Sequence, residues 1–399
     1  MKNKKVGILT LGLGPNYGNL LQAYALHKAL SNLGYNVVLI DKRQKLNFYW
    51  ISLRPILVKI KRLLTLSFTP QQVVSNLKKI PDIKKKFQKN VVSIDLGLLT
   101  SEMMAFPNNH LTPKTETFYT KKELVEICNF EKFDAIVVGS DQVWRYDYAM
   151  NDLEHYFLCF TENLESKPKR LTYAASFGTS DFTIPRHLRT KIRGTIRLFD
   201  GISVREKSGI KISKERLNVK AESHLDPTLL LDREEYSKLT KNLPDISKNS
   251  FILSYILDMD SDKSSWLTNV TNHLDKELVI VRDKGYFIEN PTQLKQPQIP
   301  VEQWLKHFMQ ADYILTDSFH GTVFSILFNK PFVAVGNKNR GLTRFESLLK
   351  TFNLEDRLIK DINQFDRSIL DSEINWDKVN KVLISERNRS SEYLLGTIG

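Results

Sequence analysis

The segment Thr316-Asp317-Ser318-Phe319-His320-Gly321 sets an acid, a hydroxyl and an imidazole between a buried strand, Asp312 to Thr316, and an apolar helix from Gly321 to Phe328. At such a junction free backbone N–H groups and the helix dipole favour an anion. A histidine there can hydrogen-bond a phosphate or pass a proton as one departs. The plainer alternative is a cap, with Ser318 or Asp317 satisfying the free amides and His320 only packing. Three other segments share this placement after an apolar run. Gly139-Ser140-Asp141-Gln142 offers a carboxylate as general base toward a hydroxyl, with Trp144 behind it as a platform for a sugar ring, or else forms an Asx-type turn. Tyr173 to Gly178 brings small residues, including Ser176, to a strand end, for close ligand approach or for close packing. Ser203-Val204-Arg205-Glu206 ends a strand with a guanidinium that can hold a carboxylate or phosphate in a two-pronged grip, or pair with Glu206 or another acid.

These segments need a scaffold that gathers strand ends. Val6 to Thr10 reads as a strand, followed by the turn Gly12 to Gly18 and a helix with Ala23, Leu26, Leu30 and Leu33 on one stripe, closed by Gly34; Val37 to Ile40 is the next strand. This β-turn-α-β unit brings Asn16, Tyr17 and Gly18 to a helix start, where backbone amides can meet an anion. Its spacing is GxGxxxG and not the dinucleotide GxGxxG, so Asp41 as a ribose partner for a nicotinamide is the weaker reading. The alternation resumes after about residue 120 and again from Phe251. It predicts two Rossmann-like α/β domains facing across a cleft: 1–240, carrying a basic helical insertion at about 42–120, and 250–365, with a C-terminal helical segment over 366–399. The polar stretch Asp232 to Ser250 is the expected linker. His224, just before Asp226-Pro227, reads as structural.

With 399 residues, 41% hydrophobic and 26% charged, the chain has the composition of a two-domain globular protein. No run of about 18 apolar residues is available to span a bilayer, and the expected location is the cytoplasm. Cys128 and Cys159 lack metal-site spacing and read as buried thiols; neither a metal nor another cofactor is expected. The net charge of +13 is concentrated: Lys42 to Asn90 holds 13 basic residues against Asp82 alone. Such a block can face nucleic acid, anionic lipid or an acidic polymer, or be a solvated helical face. Residues 50–68 mix apolar and basic side chains, which suits a helix lying on a membrane surface and equally a helix packed on its own domain, so peripheral contact with an anionic membrane through 42–90 is one of two open readings, and nucleic acid is not expected.

Taken in order, Asn16-Tyr-Gly-Asn-Leu-Leu-Gln22, Gly139-Ser-Asp-Gln-Val-Trp144, Tyr173-Ala-Ala-Ser-Phe-Gly178, Ser203-Val-Arg-Glu206, Asp226-Pro227 and Asp317-Ser-Phe-His-Gly321 resemble the polysaccharide pyruvyl transferase family. The resemblance implies a GT-B-like fold and transfer of pyruvate from phosphoenolpyruvate to two hydroxyls of one sugar, giving a cyclic ketal. It also implies anion binding by Arg205 and by the region of His320, and a sugar or lipid-linked oligosaccharide as acceptor. Many members carry Arg-Leu-His where this chain has Ser318-Phe319-His320, which leaves Arg340 and Arg344 as the nearest sources of the missing charge. A nucleotide-sugar glycosyltransferase and a non-catalytic glycan binder are the competing readings. The oligomeric state is left open.

Overall fold

The computed structural model describes residues 4–42, 96–281, 298–336 and 341–399, with backbone alone for 96–100. The basic stretch 43–95 lies outside them, and with it the helix expected in 50–68 and nearly all of the region 42–90 weighed for membrane contact. Arg340 lies outside them as well.

Short apolar runs form the strands, as expected for sheets covered on both faces. In the first unit β1 (Lys5–Leu9), β2 (Asn36–Leu39), β3 (Ala135–Val138) and β4 (Lys169–Thr172) pair in the parallel order β2-β1-β3-β4. Single bridges, Leu171 to Gly201 and Ala175 to Val204, add the pair β5 (Ser203–Val204) and β6 (Glu222–Ser223). The second unit repeats the pattern with β7 (Phe251–Tyr255), β8 (Glu277–Ile280), β9 (Tyr313–Thr316), β10 (Phe332–Val335) and β11 (Leu358–Ile359), in the order β8-β7-β9-β10-β11. Both sheets therefore reverse their strand order beside a first strand, and the crevice there is where open α/β sheets bind ligands. In the first sheet it opens between the ends of β1 and β3, and in the second between those of β7 and β9.

Helix α1 (Tyr17–Asn32) is buried on every face from Tyr17 to His27, so the single stripe read from its sequence is too narrow. The reason is its position between the units. Leu20, Leu21 and Leu26 share one continuous core with Tyr255, Trp304 and Phe324 of the second unit. Tyr17 stacks on Trp304 with centroids 5.3 Å apart and donates its hydroxyl to Ile299 O at 3.0 Å. The stretch read as a linker is partly helical: α2 (Arg233–Thr240) is capped by Asp232 and buries Tyr236. Its outward residues, Arg233, Glu234, Glu235 and Lys238, give the polar appearance. The last helix, α3 (Trp376–Ile398), returns to the first unit. Tyr393 donates to Thr172 O at 2.9 Å, and Lys4 and Lys169 place ammonium groups on the terminal carbonyls of Ile398 and Thr397, where the helix dipole favours them. This is a GT-B-like arrangement. Among the described residues no helix is long and apolar enough to cross a membrane, and Cys128 and Cys159 are buried free thiols.

Candidate functional site

The ends of β3, β5, β6 and β9 bring side chains from both units to one point. Arg205, just after β5, is almost fully enclosed. It donates NH1 to Asp226 Oδ2 at 2.7 Å and NH2 to Asp141 Oδ1 at 3.2 Å. The alternative pairing weighed for Arg205 is thus realised, with Asp226 and Asp141 as its partners. Burial alone would lower the Arg205 pKa, but Asp226, Asp141 and Glu206 outweigh it and hold the guanidinium above its usual range. From the second unit His320 brings Nε2 to 3.6 Å from the same Asp226 oxygen, an ion-pair distance beyond hydrogen-bonding reach. Asp226 completes its shell with Thr228, whose N–H and hydroxyl donate to Oδ1. Burial would raise this carboxyl, yet His320, Arg205 and Thr228 together hold it well below the usual range.

Gly18 explains how His320 is fitted. A Cβ built there would lie 2.0 Å from His320 Nδ1, so only a glycine on α1 lets the imidazole of the facing unit approach this closely. Phe319 presents its ring to two guanidinium groups, Arg205 at 4.6 Å and Arg344 at 5.2 Å. Burial, with Arg205 nearby, pushes Arg344 down to about 10. Glu206 lies fully buried beside them, accepting from Ser176 Oγ and Phe177 N; burial pushes its carboxyl up against the pull of Arg205, Ser176 and Arg344.

The remaining expected site residues hold loops in place. Asn16 caps α1 by accepting from Asn19 N, and Ser318 caps the helix α4 (Phe319–Leu327) by accepting from Gly321 N, which is the capping alternative for that serine. Ser140 Oγ donates to Ala174 O while its amide donates to Gln22, and Gln142 accepts from Arg145. Asp317 is fully buried and accepts from Leu257 N, Asp258 N and Lys263 Nζ, tying the end of β9 to the loop after β7. Asp41 is buried and accepts from Thr117. Two expectations are corrected. Trp144 offers no sugar platform: the chain reverses at Asp141, whose φ is 65°, and the indole turns inward, stacking on Phe157 at 4.8 Å and donating Nε1 to Tyr156 O. Tyr17 is equally enclosed and joins the units, so it presents no face to a donor.

Sequence reading passed over Asp226, Glu206 and Phe319 as site residues. The signal was the apposition of Asp226-Pro227 and Ser203-Val-Arg-Glu206 at neighbouring strand ends, which becomes visible only when β5 and β6 are paired. Among the described residues no group of three or more His, Cys, Asp or Glu is set to hold a metal.

The model of the polysaccharide pyruvyl transferase family matches residues 16–339. The chain belongs to that family. All of the converging residues except Arg344 fall inside the matched span. No curated protein matches the chain. Among solved structures it is similar to a UDP-GlcNAc 2-epimerase from Neisseria meningitidis bound to UDP-GlcNAc, at 11% identity over 99% of each chain with a TM-score of 0.48. It is also similar to the glycosyltransferase SnogD from Streptomyces nogalater, at 11% identity over 100% of each chain with a TM-score of 0.44. A third is the ADP-heptose heptosyltransferase II of E. coli, at 11% identity over 96% of this chain and 99% of the other, with a TM-score of 0.37. These likenesses bear on neither substrate nor chemistry.

Proposed function

We propose that the protein transfers pyruvate from phosphoenolpyruvate to two hydroxyls of one sugar, in a surface polysaccharide or its lipid-linked precursor at the cytoplasmic face of the membrane. One observation carries this beyond family membership. Arg205 and His320, from opposite units, converge on Asp226, and each keeps a buried nitrogen, Nε and Nε2, without a hydrogen-bond partner among the described residues. Buried polar groups left in this state call for a partner such as a bound ion or ligand, and two such nitrogens at one point suit an anion. Ser318 is committed to its cap, so Arg344, beside Arg205 across Phe319, supplies the second guanidinium.

In this reading His320 gives a proton to the methylene carbon of the donor, and a sugar hydroxyl adds to the oxocarbenium-like carbon that results. Asp141 accepts the hydroxyl proton; its Oδ1 is held by Arg205, and its Oδ2 has no hydrogen bond among the described residues. The carbon–oxygen bond to phosphate then breaks, and the second hydroxyl closes the ketal, returning its proton to His320 while the proton held by Asp141 leaves on the phosphate. Two carbon–oxygen bonds form, one breaks, and inorganic phosphate leaves. No step uses a metal or a redox cofactor. The test is product identity with purified protein, phosphoenolpyruvate and candidate lipid-linked glycans. Inorganic phosphate together with an acidic, acid-labile ketal on the glycan is the expected result. Release of a nucleoside diphosphate from a nucleotide sugar would overturn it.

A further inference from the structure

The centre around Asp226 is balanced in charge. Asp141 and Asp226 stand against Arg205 and Arg344. A donor that carries both a carboxylate and a phosphate needs positive charge from somewhere else. A cavity of about 300 Å³ opens from this centre, with Arg205, Arg344, Asp226 and Phe319 at its inner end. Its remaining ionic lining is Lys207, Lys350, Arg389 and Glu386. Glu386 already pairs with Arg389 at 2.5 Å, and Arg389 is held in place by donating to Ser223 O. The excess positive charge therefore sits on Lys207 and Lys350. They come from different units, and the Lys207 amide donates to Ser347 Oγ at 3.2 Å, which fastens the units together beside them.

We propose that this mouth is a phosphate-binding subsite, with Lys207 from the first unit and Lys350 from the second as its charge-bearing residues and Arg389 as a fixed flank. The inference rests on the transferase reading above for the identity of the substrates, while phosphate binding itself does not depend on it. The phosphate belongs either to the donor or to the carrier of the acceptor sugar. If it is the donor's, the leaving phosphate is released at the open end while the carboxylate stays on the buried guanidinium groups. Spacing along the sequence hides this subsite, because Lys350 stands 143 positions after Lys207 and in the other unit.

The experiment compares the native chain with Lys207→Ala/Lys350→Ala and with Lys207→Arg/Lys350→Arg. Loss of two charge-assisted contacts predicts a rise of about tenfold or more in KM for phosphoenolpyruvate and in the Ki of inorganic phosphate, with kcat within about threefold and an unchanged Tm. The arginine pair should restore both constants. A rise confined to KM for an acceptor on a diphosphate carrier, absent with the free oligosaccharide, also supports the subsite and assigns the phosphate to the acceptor. Unchanged constants for donor, acceptor and inorganic phosphate in the alanine pair would overturn it. Calorimetric titration of inorganic phosphate separates this outcome from failure of the transferase reading: a native chain without turnover that binds phosphate only while both lysines are present retains the subsite. Equal phosphate binding by native and alanine chains, or none by either, removes it.

Discussion

Two loops invite comparison, Gly139 to Trp144 after β3 and Thr316 to Gly321 after β9. Each leaves a central strand beside the reversal point of its own sheet, and each offers a serine, an acid and an aromatic ring. Their assignments are opposite. In the first loop the acid Asp141 reaches the centre while the ring of Trp144 turns into the core. In the second the acid Asp317 is spent on backbone amides and Lys263, while Phe319 and His320 face the other unit. In both, the serine fixes the loop. Residue type alone does not tell a site residue from a scaffold residue here; the direction in which the turn aims each side chain does.

Substitutions of matched kind test that division. His320→Ala should lower turnover by about two to four orders of magnitude, as loss of a proton-transferring group does, with some loss of Tm because the buried Asp226 loses one of its partners; phosphate release and a thermal melt measure the two. Trp144→Ala should do the reverse, costing about 3–5 kcal/mol in urea unfolding, because a fully buried indole stacked on Phe157 is removed. Selective loss of sugar binding by a Trp144→Ala protein of native stability would restore the platform role. Gly18→Ala lies between them. The added methyl must displace His320 or part the units, so activity should fall at least tenfold, with an overpacking cost of about 1–3 kcal/mol.

The same division explains what was legible in the sequence. The strand-helix alternation gave both units, since short apolar runs flanked by glycine and polar turns leave few alternatives, and β10 and α4 lie close to where the pattern put them. His320, Arg205 and Asp141 were legible because they stand just beyond strand ends, where side chains can leave the sheet. Asp226 was not, because its partners are 21 residues before it and 94 after it, and only the pairing of β5 with β6 and the closure of the two units bring all three together. The polar look of α2 misled for the converse reason: Tyr236 is buried while its neighbours face water. The burial of α1 on all sides was hidden because the second covering surface belongs to the other unit.

Protonation provides a finer probe than deletion, since two neighbouring groups lose stability in the same direction but over different pH ranges. His224, beneath α3, keeps its imidazole pushed down to about 4 by burial and then by Arg389. Between pH 6.5 and 4 the unfolded chain gains a proton that the folded chain refuses, so stability should fall as pH drops through that range, by roughly 3 kcal/mol in full. Asp226 is depressed as well, but its contribution is complete above about pH 4 and lost only in stronger acid. Urea unfolding from pH 7 to 4.5 should therefore show the slope in the native chain and a flatter one in His224→Asn. Equal slopes in the two proteins would remove His224 as the source.

The smallest effect belongs to Ser318, where the two loops can be told apart most sharply. Its hydroxyl accepts from Gly321 N at 3.3 Å and its backbone begins the helix, so Ser318→Ala should cost about 1 kcal/mol of stability. KM for phosphoenolpyruvate should stay close to native if, as proposed, Arg344 and Arg205 are the residues that hold the anion. A serine that instead touched the donor would show the opposite pattern, with KM rising and stability unchanged. Arg344→Lys then completes the argument: it keeps the charge but loses the planar contact with Phe319. Its KM should rise more than that of Ser318→Ala, which places the second anion grip on the helix after β10 and not on the cap of α4.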